Sequence, residues 1–591
     1  MSTNGGDWLP VGTLEQLRTQ GTKVIKGEDR PIAVYAHDGK VSAVDNRCPH
    51  LGFPLHKGTV QDGILTCYWH YARFDLCSGC TFDLFADDVP AYDVEVRDDQ
   101  VFVRSLPRQG DPFEQHSRRL REGMEQNISL IQAKSILGLL RLGTDYRAIV
   151  RQITLFGVRY RDGWASGLTI LTAMANLVPL LGEEAAYLAL YQGSRRVAND
   201  CAGMPARRSR YPLETDALDD ETLMRWLRTW TTVRHRDGAE RTLLTAIHSG
   251  ASPEDLTRLV FTAATERFYA DTGHALDFCN KAFEVLDLIG WDHAEAVLPT
   301  VMAQVVAARG GEEMNAWRHP IDLVPHIREL SDSLPDLFRE GAGKTWAGER
   351  ALGDKILGDD PLAILEALRN AVRDGAAPVQ LSRSLAYAAA MRVGRFGTSN
   401  EFGDWITALH TFTYCHALHR ALARCPHPEL VRGVLHGAMS VFLDRFLNMP
   451  PARMPGERDS LDGEPSDPAE LLRRFLDALD QQQRVDAAAR AIARYLQLGH
   501  PLPALYDTLT LATVREDADF HTFQMVEAGI RQSQEWSGRP EEAQILIAVA
   551  RYLAAHSPTQ RAQLQTAQIA LRLHRGESLY EEDEEESEVA A

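Results

Sequence analysis

The chain has 591 residues, a length equivalent to roughly three to four domains. Its net charge is −19 and it has no basic stripe, so nucleic acid and anionic membranes are not expected partners. It has eight cysteines, a polar start at residues 1–6 without a secretory signal, and no transmembrane run, which together predict a cytoplasmic protein.

The first hundred residues predict a small antiparallel β domain. They contain short β-branched runs separated by turn signals such as Asp38-Gly39. Four of these runs are predicted strands, at residues 23–25, 31–35, 41–44 and 100–104.

Four metal-ligand side chains lie in two short pieces of this domain. The pieces read Cys-x-His and, after a gap of sixteen residues, Cys-x-x-His, and the four residues are Cys48, His50, Cys67 and His70. In a Rieske [2Fe–2S] cluster two thiolates hold one iron and two imidazoles hold the other. A Cys2His2 zinc site is the alternative, since zinc takes the same ligand types. Gly52 and Gly58, which allow backbone to turn closely around a cluster, favour iron.

Residues 8–105 resemble a Rieske ferredoxin or the Rieske domain of an aromatic-ring oxygenase. The resemblance covers the start at residues 8–12, the first ligand piece at 44–52 and the segment 89–96, where Pro90 resembles a proline that closes a third loop over the cluster. It implies a small antiparallel β domain with the cluster at its tip, working in one-electron transfer.

One departure separates subclasses of this family. Respiratory Rieske proteins carry two further cysteines that form a disulfide between the cluster loops, and Phe53 and Trp69 stand at the corresponding places here. The resemblance therefore implies the lower-potential oxygenase type. Cys77 and Cys80 form a separate Cys-x-x-Cys, for which a redox dithiol and two free thiols in a turn are the alternatives; the second is favoured.

Beyond residue 108 the sequence predicts a large all-α region. Ala, Leu, Arg and Glu recur in helical periods, as in 361–372, where Asp360 is a predicted N-cap and Pro361 the first helical residue. The predicted domains are a Rieske domain at 1–108, an all-α domain at 109–575 and a disordered acidic tail at 576–591. The fold class is thus a multidomain protein with a β domain followed by helices.

The helical region contains a diverged internal repeat. Residues 246–267 align without gaps with residues 371–392, and a further copy is indicated at 428–438. Each of the first two copies predicts a helix, a glycine stop and a second helix that starts at a proline. Such units bury their apolar faces by packing together, which predicts diverged helix hairpins.

An electron donor joined to a helical region raises the question of a second iron site. The oxygenase pattern Asp-x-x-His is met at Asp271 and His274, but the next ligand position holds Cys279, so the match fails. Asp271, His274 and Asp277 are predicted to share a helix face, and so are His416 and His419, with His410 off that face. The candidate catalytic residues are His274, His410, His416 and His436; the alternative is histidines that line helix contacts.

Two classes of function stay open. The favoured one is a Rieske-type oxidoreductase, an oxygenase or oxidase, that passes single electrons from its cluster to an oxidation site in the helical domain. The other is an electron-transfer or redox-sensing protein whose helical domain docks a partner. The segment 409–418 resembles helical questin-oxidase-like proteins, which are Baeyer–Villiger-type oxidases, over one or two helices. Expected partners are a reductase or ferredoxin as electron donor, a small-molecule substrate and further copies of the chain in a homo-oligomer.

Overall fold

We analysed a computed structural model of the chain, which describes residues 7–28, 30–108, 110–215, 218–448 and 450–579. The chain divides into two compact units. The first unit comprises Met1–Asp145 and Gln565–Ala591, and the second comprises Tyr146–Leu564. The predicted acidic tail at 576–591 lies mostly outside the described residues.

The first unit begins with ten short strands and one helix. In chain order these are β1 Trp8–Thr13, α1 Leu14–Gln20, β2 Thr22–Lys26, β3 Pro31–His37, β4 Lys40–Asp45, β5 Thr59–Gln61, β6 Ile64–Thr66, β7 Arg73–Asp75, β8 Ala91–Tyr92, β9 Val94–Arg97 and β10 Gln100–Arg104. The four predicted strands fall within β2, β3, β4 and β10. The predicted β domain is therefore confirmed.

The strands form three small antiparallel sheets. Their orders are β1-β10-β9, β2-β3-β4-β8 and β5-β6-β7. The second and third sheets share one apolar core, in which Tyr35 and Val44 of the second sheet lie with Leu65 and Phe74 of the third. Cys48 belongs to this core, as does Cys67. Burial of these apolar side chains holds the two sheets together and fixes the two loops that carry the cysteines.

Two helices follow the strands within the same unit, α2 Pro112–Glu125 and α3 Ser129–Arg141. Asp111 caps α2 by accepting hydrogen bonds from the amides of Phe113 and Glu114, and Pro112 occupies the first helical position. The compact unit therefore extends past the predicted limit at residue 108. The physical reason is that α2 and α3 carry basic side chains that bond to the β domain, as described below.

The second unit is helical, and the structure has no strand between Tyr146 and Leu564 among its described residues. Its helices are α4 Tyr146–Tyr160, α5 Ser166–Leu177, α6 Glu183–Cys201, α7 Asp220–Thr232, α8 Arg236–His248, α9 Pro253–Ala264, α10 His274–Ile289, α11 Ala294–Val297, α12 Pro299–Ala307, α13 Leu323–Gly341, α14 Glu349–Ile356, α15 Pro361–Arg373, α16 Pro378–Gly394, α17 Phe402–Arg424, α18 Arg432–Asp444, α19 Pro468–Leu479, α20 Val485–Gln497, α21 Leu502–Val514, α22 Phe520–Glu535 and α23 Pro540–Ala555. The predicted N-cap Asp360 accepts from the amides of Leu362 and Ala363 at the start of α15.

The two aligned repeat segments have the same local structure. In the first, α8 is followed by Gly250 at φ +84° and then by α9; in the second, α15 is followed by Gly375 at φ +97° and then by α16. Both glycines lie in the left-handed region that L side chains rarely adopt. The third segment forms a 3₁₀ turn, Pro428–Val431, and the start of α18, which packs against α16. The duplication itself remains a prediction.

One helix prediction needs correction. Asp271 does not share a helix face with His274 and Asp277, because α10 begins at His274 and Asp271 lies before it at φ +52°. Its carboxylate instead accepts a hydrogen bond from Gln304 Nε2 at 2.8 Å. Gly273, at φ +96°, separates the two segments.

The last helix is α24 Ala562–His574, and the described chain continues to residue 579. From Gln565 onward the chain belongs to the first unit. In the part of the chain that the structure describes, no helix combines the length and the apolar character needed to cross a membrane.

Candidate metal centres

The two cysteines of the β domain lie at the start of two loops with the same hydrogen-bond pattern. The Cys48 amide donates to Phe53 O at 2.8 Å, and the Gly52 amide donates to Cys48 O at 2.8 Å. In the second loop the Cys67 amide donates to Ala72 O at 2.9 Å, and the Tyr71 amide donates to Cys67 O at 3.0 Å. Each loop thus closes from its cysteine to the residues four and five positions later.

The residue four positions after each cysteine has a positive φ. Gly52 lies at +92° and Tyr71 at +60°. Glycine reaches this region without strain, whereas a tyrosine there is held by its surroundings.

The four candidate ligands converge at the end of these loops. Cys48 and Cys67 are 2% and 1% exposed, and the His50 and His70 ring centroids lie 4.8 Å apart. A hydrogen bond from the Cys48 thiol lowers the pKa of Cys67 to about 6, with help from the amides of Trp69 and His70. The same contact, together with burial, raises the pKa of the Cys48 thiol, so Cys67 is the member of the pair that is favoured as the metal-binding thiolate.

The His50 imidazole also has the properties of a cluster ligand. Its Nδ1 atom is buried and has no hydrogen-bond partner among the described residues. Burial, followed by the charge of His70, lowers the pKa of His50 to about 4, so the imidazole is neutral near pH 7 and its lone pair is free. Two buried thiols and two imidazoles match the donor set of a Rieske cluster.

The residues that stand where a loop disulfide would lie contact each other. The Phe53 and Trp69 ring centroids are 6.4 Å apart, and Phe53 is 7% exposed. All eight cysteines of the chain are free thiols. Apolar packing therefore joins the two loops at this point. Cys77 and Cys80 are exposed in a turn around Gly79, at φ +81°.

In the helical unit, three histidines from three different helices come together. His274 begins α10, His410 lies on α17 and His521 lies on α22. One nitrogen of each ring lies within 4.8 Å of the others, and His410 Nε2 is 2.7 Å from His521 Nε2. All three side chains are half-buried. Sequence reasoning found His274 and His410 and missed His521.

The environment keeps two of these imidazoles neutral. Burial, and then neighbouring histidines, lowers the pKa of His274 to about 4 and that of His410 to about 3. The His521 Nδ1 atom lies 3.2 Å from Asp519 Oδ2, the arrangement in which a carboxylate orients a ligand imidazole. Phe278 and Phe520 pack against the His274 ring. Neutral imidazoles that converge in this way suit a divalent transition metal.

His416 belongs to a different group. Its Nε2 atom lies 3.6 Å from Glu527 Oε2, and its Nδ1 atom lies 3.0 Å from Gln532 Nε2. Glu284 is the third member, and the three side chains could in principle hold a metal ion. Lys281 Nζ already lies 2.8 Å from Glu284 and 2.7 Å from Glu527.

A second cation completes the neutralisation of this group. Arg531 donates to Glu284 at 2.7 Å and to Glu527 at 3.0 Å. Two carboxylates that already bind an ammonium and a guanidinium form a buried ion-pair network. We therefore interpret His416 as part of that network and not as a metal ligand.

His436 joins neither group. It lies on α18, is 1% exposed and stacks against Phe268 with ring centroids 4.5 Å apart. Both of its ring nitrogens lack a hydrogen-bond partner within the described chain. Burial, and then the charge of Arg432, lowers its pKa to about 3.

The sequence contains a signal for the missed residues. On α22 the polar residues His521, Gln524, Glu527 and Arg531 recur every three or four positions, and this spacing places them on one helix face. On α10, His274, Asp277, Lys281 and Glu284 show the same spacing. Gln524 donates to Asp277, which confirms that the two faces meet. Polar residues at helical spacing on otherwise apolar helices are therefore a sequence signal that could have identified these interior polar groups.

Residues 7–92 match the family described as the Rieske [2Fe-2S] domain. A relative, the 3-phenylpropionate/cinnamic acid dioxygenase ferredoxin subunit of Photorhabdus laumondii, is 35% identical over 98 residues, which are 16% of this chain and 91% of the relative. The chain belongs to the Rieske [2Fe-2S] family through its N-terminal domain. A [2Fe–2S] cluster is the cofactor of that domain, and one-electron transfer is its chemistry.

Two further similarities cover the same region. The 4beta-methylsterol monooxygenase of Methylococcus capsulatus is 34% identical over 79 residues, and the chain spans only 21% of its length. A chain of the solved complex of reduced oxygenase and oxidized ferredoxin in carbazole 1,9a-dioxygenase is 22% identical, with a TM-score of 0.17, over 17% of this chain and 97% of that chain. The first of these covers 13% of this chain and the second 17%.

Proposed function

We propose that the protein is a Rieske oxidoreductase in which Cys48, His50, Cys67 and His70 hold the [2Fe–2S] cluster, and His274, His410 and His521 hold an iron that is the oxidation site. The observation that supports it is the approach of three imidazoles within 4.8 Å in a chain that also carries a Rieske domain. A reductase or ferredoxin supplies the electrons, and the substrate is a small molecule.

Bound cofactors would supply single electrons at the cluster and oxidation chemistry at an imidazole-held iron. The residues of the helical unit prepare this second site. Neutral His274 and His410 offer lone pairs, Asp519 orients His521, and Phe278 and Phe520 limit the access of water.

Asp277 provides a proton near this site. It lies one helical turn beyond His274 on α10 and is 1% exposed. Burial raises its pKa to about 7, although Lys281 and the hydrogen bond from Gln524 oppose the shift. Its Oδ1 atom has no hydrogen-bond partner among the described residues, so a proton can reside there. A carboxyl group with a pKa near neutrality can give or take a proton during an oxidation.

Iron analysis of the purified full chain tests the proposal. We expect three irons per chain in the wild type and two in His410→Ala, with the EPR spectrum of the reduced cluster unchanged. His248→Ala, at an exposed histidine at the end of α8, is the matched control and should retain three. Two irons in the wild type after anaerobic incubation with Fe(II), or three in His410→Ala, would contradict the second site.

A second candidate function is a pure electron carrier for a separate oxygenase. The exposed second cluster loop favours it, because Tyr68 and Tyr71 are 52% and 69% exposed on either side of the exposed His70. Exposed aromatic side chains beside a redox ligand suit a transient partner. Two irons per chain, with fast reduction of an added oxygenase, would support this carrier function.

A further inference from the structure

The helices α2 and α3 bring a basic side chain against the first cluster loop. Lys134 on α3 donates from Nζ to Pro49 O at 2.7 Å. Pro49 is the residue between the candidate ligands Cys48 and His50. The Lys134 side chain is 18% exposed, so its charge is partly shielded from solvent.

The position of this ammonium is fixed by a second contact. Lys134 Nζ also forms an ion pair with Asp87 Oδ2, and Arg119 Nε on α2 lies 3.0 Å from Asp87 Oδ1. Burial alone would raise the pKa of Asp87, but Lys134 and Arg119 hold it below its usual value. Asp87 is therefore a carboxylate shared between two cations.

Arg119 is held rigidly in turn. It is 4% exposed and donates to Leu84 O at 3.1 Å and to Ala86 O at 2.7 Å. The Arg119 Nη1 atom also lies 2.6 Å from Glu122 Oε2. The anchoring of Arg119 to backbone fixes Asp87, which fixes Lys134 in turn. The charges in this chain of contacts cannot easily rotate away from the cluster loop.

Two other cations near this loop pair with carboxylates, whereas Arg47 donates to the carbonyl oxygens of Leu573 and Glu577. Arg30 lies 3.0 Å from Asp45, and Arg118 lies 3.2 Å from Asp88. A cavity of about 260 Å³ borders Cys48, Pro49, Lys134 and Asp87, with His116 and His574 also in its wall. Lys134 differs from the paired cations because it bonds directly to the backbone between two ligands.

We propose that Lys134 is a positioning residue that raises the reduction potential of the [2Fe–2S] cluster. Reduction adds one electron from the reductase, converts one ferric iron to ferrous iron and breaks no bond. The added negative charge is stabilised by a nearby fixed cation, so removal of that cation disfavours the reduced state. Asp87 has the opposite effect, because its negative charge offsets Lys134.

Lys134 lies close to the ligand loop, since its Nζ atom is 2.7 Å from the carbonyl oxygen of Pro49 between Cys48 and His50. The attraction between a fixed ammonium and the added electron remains appreciable at the effective dielectric constant of about 20 that describes protein sites. Loss of the Lys134 charge should therefore change the equilibrium between the cluster and a redox dye by about tenfold, which is 59 mV for a one-electron couple.

The test is a redox titration of the full-length, cluster-loaded protein and four variants, followed by EPR and visible absorption. Lys134→Met should lower the reduction potential by the equivalent of about a tenfold change in the equilibrium constant, and Asp87→Asn should raise the potential. Lys134→Arg, which keeps the charge, should stay close to the wild type. Lys40→Met is the matched control, because Lys40 is exposed at the opposite end of β4, about 17 Å along the strand from the cluster loop.

The variants distinguish an effect of the Lys134 charge on the reduction potential from an effect of the geometry of the cluster loop. An unchanged potential in Lys134→Met with a full EPR signal would overturn the proposal, and so would an equal fall in Lys134→Arg. If Lys134→Met does not retain its cluster, Asp87→Asn decides: a raised potential supports the role of the charge, and an unchanged or lowered one contradicts it.

Discussion

The two units of this protein assemble their ligand-type side chains in opposite ways. In the Rieske domain, four candidate ligands come from two loops that each close on themselves through two backbone hydrogen bonds. In the helical unit, His274, His410 and His521 come from helices far apart in the sequence. The first arrangement is encoded locally and the second by tertiary packing, so the first can be recognised from a short motif and the second cannot.

The largest expected effect is in the locally encoded site. Cys67→Ala should abolish the [2Fe–2S] cluster, because one iron loses a thiolate that no neighbouring cysteine replaces. The rhombic EPR spectrum of the reduced protein should disappear while far-UV circular dichroism keeps its helical signal. Cys201→Ala, at a buried cysteine on α6, is the control and should keep a full spectrum. A normal spectrum in Cys67→Ala would show that the ligand assignment is wrong.

The tertiary network of the helical unit provides the next test. Lys281→Met removes an ammonium that is 1% exposed and leaves the carboxylates of Glu284 and Glu527 with one fewer cation, although Arg531 still donates to both. Breaking a buried ion pair in this way costs about 3–5 kcal/mol, and we expect that loss in the free energy of unfolding measured with denaturant. Lys355→Met, at an exposed lysine on α14, should change it by less than about 0.5 kcal/mol. A small loss in Lys281→Met would mean that the network is not neutralised as described.

The pH dependence of folding stability should reveal the buried, neutral state of His436, the candidate histidine that belongs neither to the three-histidine group nor to the ion-pair network. Its pKa is about 3 in the folded chain and near 6.5 when unfolded, so below pH 6.5 the unfolded state binds the proton first. Wild-type stability should therefore fall as the pH drops from 6.5 to 4.5, by about 2 kcal/mol from this group. In His436→Leu that part of the fall should be absent, whereas His248→Leu should behave as the wild type. Parallel curves for wild type and His436→Leu would contradict the buried, neutral state.

The smallest expected effects come from substitutions at the equivalent positions of the two cluster loops. A Cβ at Gly52 would meet Ser578 at 2.8 Å in addition to its positive φ, so Gly52→Ala should cost about 1–2 kcal/mol and impair cluster retention. Tyr71→Gly at the equivalent place should change stability by less than about 1 kcal/mol, since relieved strain offsets the added chain entropy. Thermal unfolding with EPR measures both. Equal losses of stability in the two variants would contradict this expected difference between Gly52 and Tyr71.

Much of the fold could be predicted from sequence, because its signals are local. Ligand spacing, strand alternation and the Asp360 cap each depend on residues close together in the chain. The three-histidine centre could be predicted only in part. His274 and His410 were candidates, but the packing that joins them to His521 depends on which faces of α10, α17 and α22 meet. His416 was a candidate together with His410, and the residues that assign it to an ion-pair network, Lys281 and Arg531, lie on the other two helices.

The segment from Gln565 to residue 579 has a consequence for biosynthesis. Arg47 donates to Leu573 O and Glu577 O, and Ser578 Oγ donates to Gly52 O at 3.0 Å, so this late segment bonds to the first cluster loop. During translation the loop emerges early, but these contacts become available only after Tyr146–Leu564 has been made. The hydrogen bonds that Arg47 and Gly52 make with this segment therefore form only after nearly the whole chain has been synthesised.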